Sequence, residues 1–97
     1  RELHTPADMV NLKMRTYGDL QMSLMRSLGA DPTQLSWSEL YSALQTGAVD
    51  GNMNGYQTLY SGSLHEVQPY ITEVNATLWL YDFLANQAAW DKLSPDT

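Results

Sequence analysis

Apolar and polar positions alternate along residues 12–17, with apolar or hydroxyl side chains at the even positions and Lys, Arg and Tyr at the odd ones. This alternation predicts a strand. The period then changes, because leucines recur four residues apart at Leu20, Leu24 and Leu28. That spacing predicts a helix that buries its leucine face and ends at Gly29, where a residue that tolerates left-handed backbone is favoured.

The same change of period recurs further along the chain. Ser36 and Glu39 form the sequence pattern of a capping box, which predicts the start of a second helix, and Gly47 marks its end. Leu40 and Leu44 share one face of this helix. The remaining predicted elements are a helical turn over residues 5–9, strands over 33–35, 70–74 and 77–85, a short strand between the turns at 50–51 and 54–55, a weak helix over 56–67, and a helix over 87–92 capped by Asn86.

Strands and helices alternate through most of this pattern, which favours the α/β class with a mixed β-sheet flanked by helices. No repeat, linker or low-complexity tract divides the chain, so residues 1–97 are predicted to form a single α/β unit. Ligands of such sheets bind beyond the carboxyl ends of the strands. We therefore expect a functional site at that edge.

The composition excludes several classes of function. Eleven acidic against five basic side chains give a net charge of −6, which argues against nucleic-acid binding because neutralising phosphates needs a basic face. The absence of cysteine excludes a disulfide scaffold, a zinc ribbon and a thiol nucleophile. No apolar run reaches the roughly 18–20 residues of a membrane span, since Asp82 interrupts the run from Leu78 to Ala85.

Motifs for metal binding and catalysis are incomplete. Residues 50–55 match the opening of an EF-hand loop, but Ser61 stands where a bidentate Glu is required. His65 lacks the second His of a zinc protease motif, because Pro69 occupies that position. We therefore predict no metal, no cofactor and no catalytic residue. A hydrolase would need Asp50, His65 and a serine to converge in space.

Three side chains are candidates for binding a ligand. Arg15 lies in the first predicted strand, where its planar guanidinium suits either a ligand carboxylate or an ion pair with a structural Asp or Glu. Trp37 suits either the core or the wall of an organic ligand site. Asn54 could satisfy its own turn or offer its amide to a ligand. A binding protein and a free-standing acidic α/β interaction module without a small-molecule ligand both remain open on these residues alone.

An ordered set of motifs covers nearly all of the chain. The segments are LKMR at 12–15, LGADP at 28–32, SELYSALQTGAVDG at 38–51, EVQPY at 66–70 and NQAAWDKL at 86–93. Each is short, but their order and spacing together are specific. In this combination the chain resembles the periplasmic solute-binding proteins of TRAP transporters, the DctP-like family.

The resemblance implies a two-lobed periplasmic receptor that closes over a small organic acid and delivers it to a membrane permease driven by an ion gradient. It also implies that Arg15 grips the ligand carboxylate, that Trp37 lines the site and that Asn54 reaches the ligand. Tyr17 and Gly18 follow the arginine and are implied to line the same wall. The family has no enzymatic activity, so the resemblance implies none here.

Several residues around the implied site depart from the family pattern. Asn11 replaces a usual Gly, Tyr17 stands where Pro is common, and Asn52-Met53 replaces a frequent Gln-Glu pair. The ligand therefore need not be a C4-dicarboxylate, and Trp37 in place of a smaller aromatic could accommodate a more apolar acid. The motifs belong to one lobe only. We therefore expect a fragment that carries half a site and self-associates through apolar surfaces that the missing parts would cover.

Overall fold

Three short parallel strands and the helices between them form the core of the computed structural model, which describes residues 1–78 and 80–93. The strands are β1 (Lys13–Thr16), β2 (Asp31–Gln34) and β3 (Gly51–Asn52). The α-helices in the described ranges are α1 (Asp19–Ser27), α2 (Trp37–Thr46), α3 (Tyr56–Ser61) and α4 (Gln87–Trp90), and 3₁₀ turns cover Pro6–Met9 and Leu64–Glu66.

β1 is the central strand, because the order in the sheet is β2-β1-β3. The chain passes through α1 to reach β2 on one side of β1, and then through α2 to reach β3 on the other side. In the register of the sheet, Arg15 lies opposite Thr33 of β2 and Asn52 of β3. In open parallel sheets with such a crossover, ligands bind beyond the carboxyl ends of the strands on either side of it, here β1 and β3. We call this position the crevice.

Two clusters of buried apolar side chains form the core. One cluster contains Met14 of β1, Met25 of α1 and Ala30, the residue before β2. The other joins α2 to the segment that follows α3, and it contains Leu40, Leu44, Val49 and Leu64. Because successive side chains of a strand point to opposite faces, Met14 faces the first cluster and Arg15 points to the opposite face.

The predicted ends of α1 and α2 are confirmed, whereas the helices predicted over 56–67 and 87–92 end earlier, at Ser61 and Trp90. Gly47 ends α2 in the left-handed conformation with φ 75°, and Gly29 adopts φ 78° after α1. The Ser36 N–H and hydroxyl both donate to the Glu39 carboxylate at the start of α2, as the capping-box pattern predicted. Asn11, which replaces the usual Gly, has φ 62° and supplies the left-handed residue that this turn requires.

The predicted apolar face of α1 is confirmed in part, because Leu24 packs against the cluster that contains Met25, but Leu20 does not join it. Leu20 is 85% exposed, whereas Gln21 and Met25 are the buried residues of the helix. The physical reason is that the Gln21 amide is hydrogen-bonded at both ends, to the backbone of Tyr17 and of Met53. Two satisfied hydrogen bonds allow a polar side chain to occupy a position that the leucine spacing assigned to an apolar one.

The α/β class is confirmed, but the described strands pair only in parallel, where a mixed sheet was predicted. The predicted strands 70–74 and 77–85, which would have supplied further pairing, are not formed within the described ranges, and residue 79 lies outside them. Residues 69–78 and 80–93 are exposed throughout. A strand needs a neighbour for its backbone hydrogen bonds, and the described chain offers none to these residues. Among the described residues, no helix combines the length and the apolar character that a membrane span requires.

Candidate functional site

The crevice between β1 and β3 is lined by the residues that follow these two strands. Tyr17 and Gly18 follow β1, and Met53 and Asn54 follow β3. In the strand order β2-β1-β3, the second strand is added on one side of β1 and the third strand on the other side. Ligands of open parallel sheets bind where the order of the strands reverses in this way. Four of the five predicted site residues lie in or just beyond β1 and β3, namely Arg15, Tyr17, Gly18 and Asn54. The fifth, Trp37, is the first residue of α2, and its ring lies near the guanidinium of Arg15.

Two aromatic rings lie close to the Arg15 guanidinium. Its guanidinium carbon is 5.3 Å from the centre of the Tyr17 ring and 5.9 Å from that of the Trp37 ring. Its Nε donates a hydrogen bond of 3.0 Å to the Leu35 carbonyl, which precedes the capping residue of α2. The aromatic faces and this one bond hold the guanidinium in place, and its two terminal nitrogens make no hydrogen bond to the described residues.

The charge of Arg15 has no partner of opposite sign in the described residues. The side chain is only 5% exposed, and no described carboxylate lies within ion-pair distance of it. Burial lowers the pKa of Arg15 below its ordinary value, because removing water disfavours the charged form. A buried guanidinium without a carboxylate is costly on its own, and an anionic ligand would relieve that cost.

Trp37 is held by a close approach of the backbone at Gly62. The indole is 43% exposed, so one part of it packs and another part is accessible. A Cβ atom built on Gly62 would lie 2.6 Å from Trp37 Cζ2 and 3.0 Å from Cη2. The glycine at this position therefore gives the indole the room it needs. The sequence contained no signal for this contact, because the two residues are distant along the chain.

Asn54 belongs to a chain of side-chain amides that the sequence analysis missed. Its Nδ2 donates to Asn52 Oδ1 at 2.5 Å, and Asn52 Nδ2 donates in turn to Gln68 Oε1. Gln68 Nε2 makes a longer contact of 3.5 Å with the Asp50 carbonyl. Since β3 pairs with β1 at Asn52 and Arg15, the middle amide of this chain lies beside the strand that carries the guanidinium.

Gln21 links the two loops of the crevice. Its Oε1 accepts a 3.2 Å hydrogen bond from the Tyr17 N–H, and its Nε2 donates one of 3.2 Å to the Met53 carbonyl. The side chain is buried, so these bonds are protected from water. Gly18 precedes α1 with extended backbone, and a Cβ there would meet no atom within 4 Å. The backbone conformation at position 18 therefore does not require glycine.

The residues considered for metal binding and hydrolysis have structural contacts instead. Asp50 Oδ2 accepts a 2.9 Å hydrogen bond from the Lys13 N–H and so joins β3 to β1. The His65 ring stacks on Tyr60 with ring centres 6.1 Å apart. Within residues 1–78 and 80–93, no group of three or more His, Asp or Glu side chains is placed to hold a metal ion.

Comparison with known proteins gives one family. The family model of the bacterial extracellular solute-binding proteins, family 7 (DctP), matches residues 1–97. The C4-dicarboxylate-binding periplasmic protein DctP of Rhodobacter capsulatus is 37% identical over 95 residues, which are 97% of this chain and 28% of that protein. The ectoine-binding periplasmic protein TeaA of Halomonas elongata is 37% identical over 93 residues, which are 95% of this chain and 27% of that protein.

Solved structures give the same fold. A TRAP periplasmic solute-binding protein from Pseudomonas aeruginosa, crystallised with bound L-malate, superposes with a TM-score of 0.72 and 39% sequence identity. The superposition covers 75% of this chain and 32% of that one. The chain thus spans less than a third of the length of the relatives it matches.

Proposed function

The chain belongs to the bacterial extracellular solute-binding proteins of family 7, and from this premise we propose that it is the part of a TRAP-type receptor that grips a small organic acid. Residues 1–97 form one α/β unit, a single lobe of a two-lobed periplasmic protein. Closure of the two lobes encloses the acid, and the receptor delivers it to a membrane permease. No reaction is catalysed.

The buried and unpaired guanidinium of Arg15 is the observation that carries this proposal. A structural arginine in a sheet would have a protein carboxylate beside it, and none of the described carboxylates takes that place. This favours the receptor over the free-standing interaction module, which requires such an ion pair. A ligand carboxylate on the two terminal nitrogens would form charge-assisted hydrogen bonds of about 1.5–3 kcal/mol each.

The other site residues complete the proposal. Trp37 and Tyr17 flank the guanidinium and provide apolar walls for the carbon skeleton of the ligand. Asn54 provides a polar group from the loop after β3, and Gly18 leaves space at the start of α1. This combination suits an organic acid whose carboxylate enters first and whose skeleton lies against the indole.

Thermal unfolding of the complete receptor with organic acids tests the proposal. The panel contains succinate, L-malate, propionate, L-lactate, β-D-glucuronate and ectoine, and Arg15→Ala is measured in parallel. An acid at about 100 times its Kd stabilises the protein by about 2.7 kcal/mol, a shift of several degrees. Arg26→Ala is the matched control, because Arg26 is exposed on α1.

The expected result is a midpoint that rises with at least one acid in the wild type and in Arg26→Ala, but not in Arg15→Ala. A rise that persists in Arg15→Ala would overturn the role of Arg15. No rise with any acid of the panel would overturn the assignment of this site to small organic acids.

We further propose that the isolated chain self-associates. The segment after residue 68 exposes an unusual number of large apolar side chains, namely Tyr70, Ile71, Val74, Leu78, Leu80, Tyr81, Phe83, Leu84, Trp90 and Leu93. The radius of gyration is 17.5 Å, well above the about 12–13 Å of a compact chain of this length. Apolar surface of this extent drives association when nothing covers it.

Sedimentation equilibrium of the isolated chain tests this second proposal. We expect a mass above that of the monomer, and a return toward the monomer when Phe83→Lys and Leu84→Lys are combined. Leu20→Lys is the control, since Leu20 is also a strongly exposed leucine but lies on α1. A monomeric wild type, or an effect of Leu20→Lys as large as that of the double variant, would contradict the proposal.

A further inference from the structure

The pairing between β1 and β3 is short. Its last described pair is Arg15 with Asn52. Beyond this pair the two strands lead into the loops that line the crevice, which start at Tyr17 and Met53. Whatever joins these two loops determines how far apart the carboxyl ends of the strands lie, and therefore how wide the crevice is.

The backbone N–H of Tyr17 points toward β3. On the side of β2, the carbonyls of Leu12 and Thr16 accept hydrogen bonds. On the side of β3, the Lys13 carbonyl accepts a 2.7 Å bond from the Asp50 N–H. Because the backbone groups of alternate residues in a strand point to opposite neighbours, the odd-numbered residues of β1 face β3. The Tyr17 N–H is therefore the next donor in line for a bond toward β3.

The amide of Gln21 lies between this donor and the loop after β3. Its Oε1 accepts from the Tyr17 N–H at 3.2 Å, and its Nε2 donates to the Met53 carbonyl at 3.2 Å. A backbone N–H can only donate and a carbonyl can only accept, so this orientation of the amide is the one that satisfies both groups. A bond between paired strands joins donor and acceptor directly at about 2.9 Å. Here two hydrogen bonds and an amide lie in series between the two backbones.

The position of this amide is fixed by its surroundings. Gln21 is the third residue of α1, and its side chain is only 7% exposed. Met25, one turn further along the helix, is buried in the same cluster as Met14 of β1. The helix is thus held against the strand, and burial shields the hydrogen bonds of Gln21 from water.

We propose that Gln21 is a positioning residue that holds the carboxyl ends of β1 and β3 apart and thereby sets the width of the crevice. The inserted amide adds about one strand spacing, roughly 4.8 Å, between the two backbones. Without it, the Tyr17 N–H and the backbone carbonyls that follow β3 pair directly, because buried backbone groups need partners. Direct pairing closes the space beside Arg15. The consequence for ligand affinity rests on the proposed function, whereas the spacing of the strands does not.

A distance measurement on the complete receptor without ligand tests the spacing. Gly18 and Gly55 lie in the two loops, and a Cβ at either position would meet no atom within 4 Å. Gly18→Cys and Gly55→Cys can therefore each carry a spin label, and residues 1–97 contain no cysteine that would compete for it. Any cysteine elsewhere in the receptor is replaced by serine. Pulsed electron paramagnetic resonance then measures the distance between the two labels.

Gln21→Ala should shorten this distance by about 3–5 Å, toward that of directly paired strands. Gln21→Glu should not shorten it. A protonated carboxyl bridges the same two backbone groups as the amide, and an ionised one repels the Met53 carbonyl. Leu44→Ala is the control, because it removes buried packing in the other core cluster without touching either loop. The unfolding midpoint of each variant without ligand establishes that it is folded, and Gln21→Ser replaces Gln21→Ala, with the same expectation, if the alanine variant does not fold.

Isothermal titration of the unlabelled receptors tests the consequence for binding. The probes are succinate, L-malate, propionate, L-lactate, β-D-glucuronate and ectoine. Each acid that binds the wild type should bind Gln21→Ala more weakly by about tenfold or more, because a narrowed crevice costs the ligand at least one hydrogen bond. Leu44→Ala should bind as the wild type does.

The outcomes separate this inference from the proposed function. An unchanged label distance in Gln21→Ala, or an equal shortening in Leu44→Ala or Gln21→Glu, would overturn the inference while Arg15-dependent binding still stands. A shortened distance with unchanged affinity would contradict the link between the width of the crevice and binding. If no acid of the panel raises the midpoint, the proposed function fails, and the label distance still decides whether Gln21 spaces the strands.

Discussion

Replacing Arg15 should separate ligand binding from folding. In Arg15→Met the side chain keeps its length and apolar stem but loses the charge, the hydrogen bond to Leu35 and the donors for a carboxylate. In Arg15→Lys the charge remains, but a compact ammonium cannot reproduce the planar fork of the guanidinium. We expect both variants to fold and both to bind the ligand poorly.

The contacts of Arg15 give the expected magnitudes. Its bond to the Leu35 carbonyl contributes about 1.5–3 kcal/mol, and each of the two ring contacts contributes about 0.5–2 kcal/mol. Burial of the charge opposes these contributions by several kcal/mol. The lowered pKa of Arg15 also indicates that its charge destabilises the folded state, since a base whose pKa falls on folding makes that state less stable at neutral pH. The net change in unliganded stability for Arg15→Met should therefore lie within about 2 kcal/mol.

Ligand affinity should change much more. Loss of two charge-assisted bonds of about 1.5–3 kcal/mol each weakens binding by about 10²- to 10⁴-fold in Arg15→Met. Loss of one of them weakens it by about 10- to 100-fold in Arg15→Lys. Titration calorimetry with the acid that gives the largest thermal shift measures the affinity, and urea unfolding without ligand measures the stability.

Two results would refute this reasoning. Affinity in Arg15→Lys within about threefold of the wild type would mean that only the charge matters. A loss of more than about 4 kcal/mol of unliganded stability in Arg15→Met would mean that the arginine is primarily structural. Arg26→Met should change neither quantity.

The remaining predictions concern single contacts around the site. Thr16→Val should raise the free energy of unfolding by about 1 kcal/mol in a urea titration, because the Thr16 hydroxyl is buried without a partner among the described residues. Gly62→Ala should destabilise the protein by about 1–3 kcal/mol and shift the indole N–H resonance of Trp37, because the new methyl group overlaps the ring. Hydrogen bonds from Ser36 lower the pKa of Glu39 below its ordinary value, so the stability it contributes is present above about pH 4.3 and is lost as the pH falls through the lowered pKa. An acid titration of unfolding, compared with that of Glu39→Gln, measures this loss.

Each of these predictions has a contradicting outcome. Thr46→Val is the control for Thr16→Val, because the Thr46 hydroxyl is already hydrogen-bonded to the Ser42 carbonyl. An equal rise in the free energy of unfolding in both variants would contradict the explanation from the unpaired Thr16 hydroxyl. Gly55→Ala has open space around its Cβ, so a similar shift of the indole resonance there would contradict the overlap. Identical acid profiles for the wild type and Glu39→Gln would contradict the contribution of the cap.

Local signals in the sequence predicted much of the fold. The ends of α2 follow from Ser36, Glu39 and Gly47, whose interactions lie within a few residues of each other. The sequence failed where a distant residue decides the outcome. Gln21 is buried because its side chain donates a hydrogen bond to the Met53 carbonyl in a distant loop. The leucine spacing of the helix does not predict that contact.

The same distinction applies to the site. Arg15 and Trp37 were recognisable as candidates, and the structure brings them into contact. Asn52 and Gln68 were not recognised, because an amide in a turn has no sequence signature until its distant partner is known. The strands predicted over 70–74 and 77–85 are not formed in the described residues for a related reason. The apolar pattern indicates a strand, but a strand is stable only beside another strand, and the described chain contains no such neighbour for these residues.

The central position of β1 also sets the order in which the sheet can assemble during folding. Pairing of β1 with β2 joins Lys13 to Asp31, whereas pairing with β3 joins Met14 to the more distant Gly51. Shorter loops close at a lower entropic cost, so the β1–β2 pair should form first and β3 should dock in a later step. The crevice between β1 and β3 is then completed last, and the rate at which a newly folded chain becomes competent to bind is set by the slower of the two pairings.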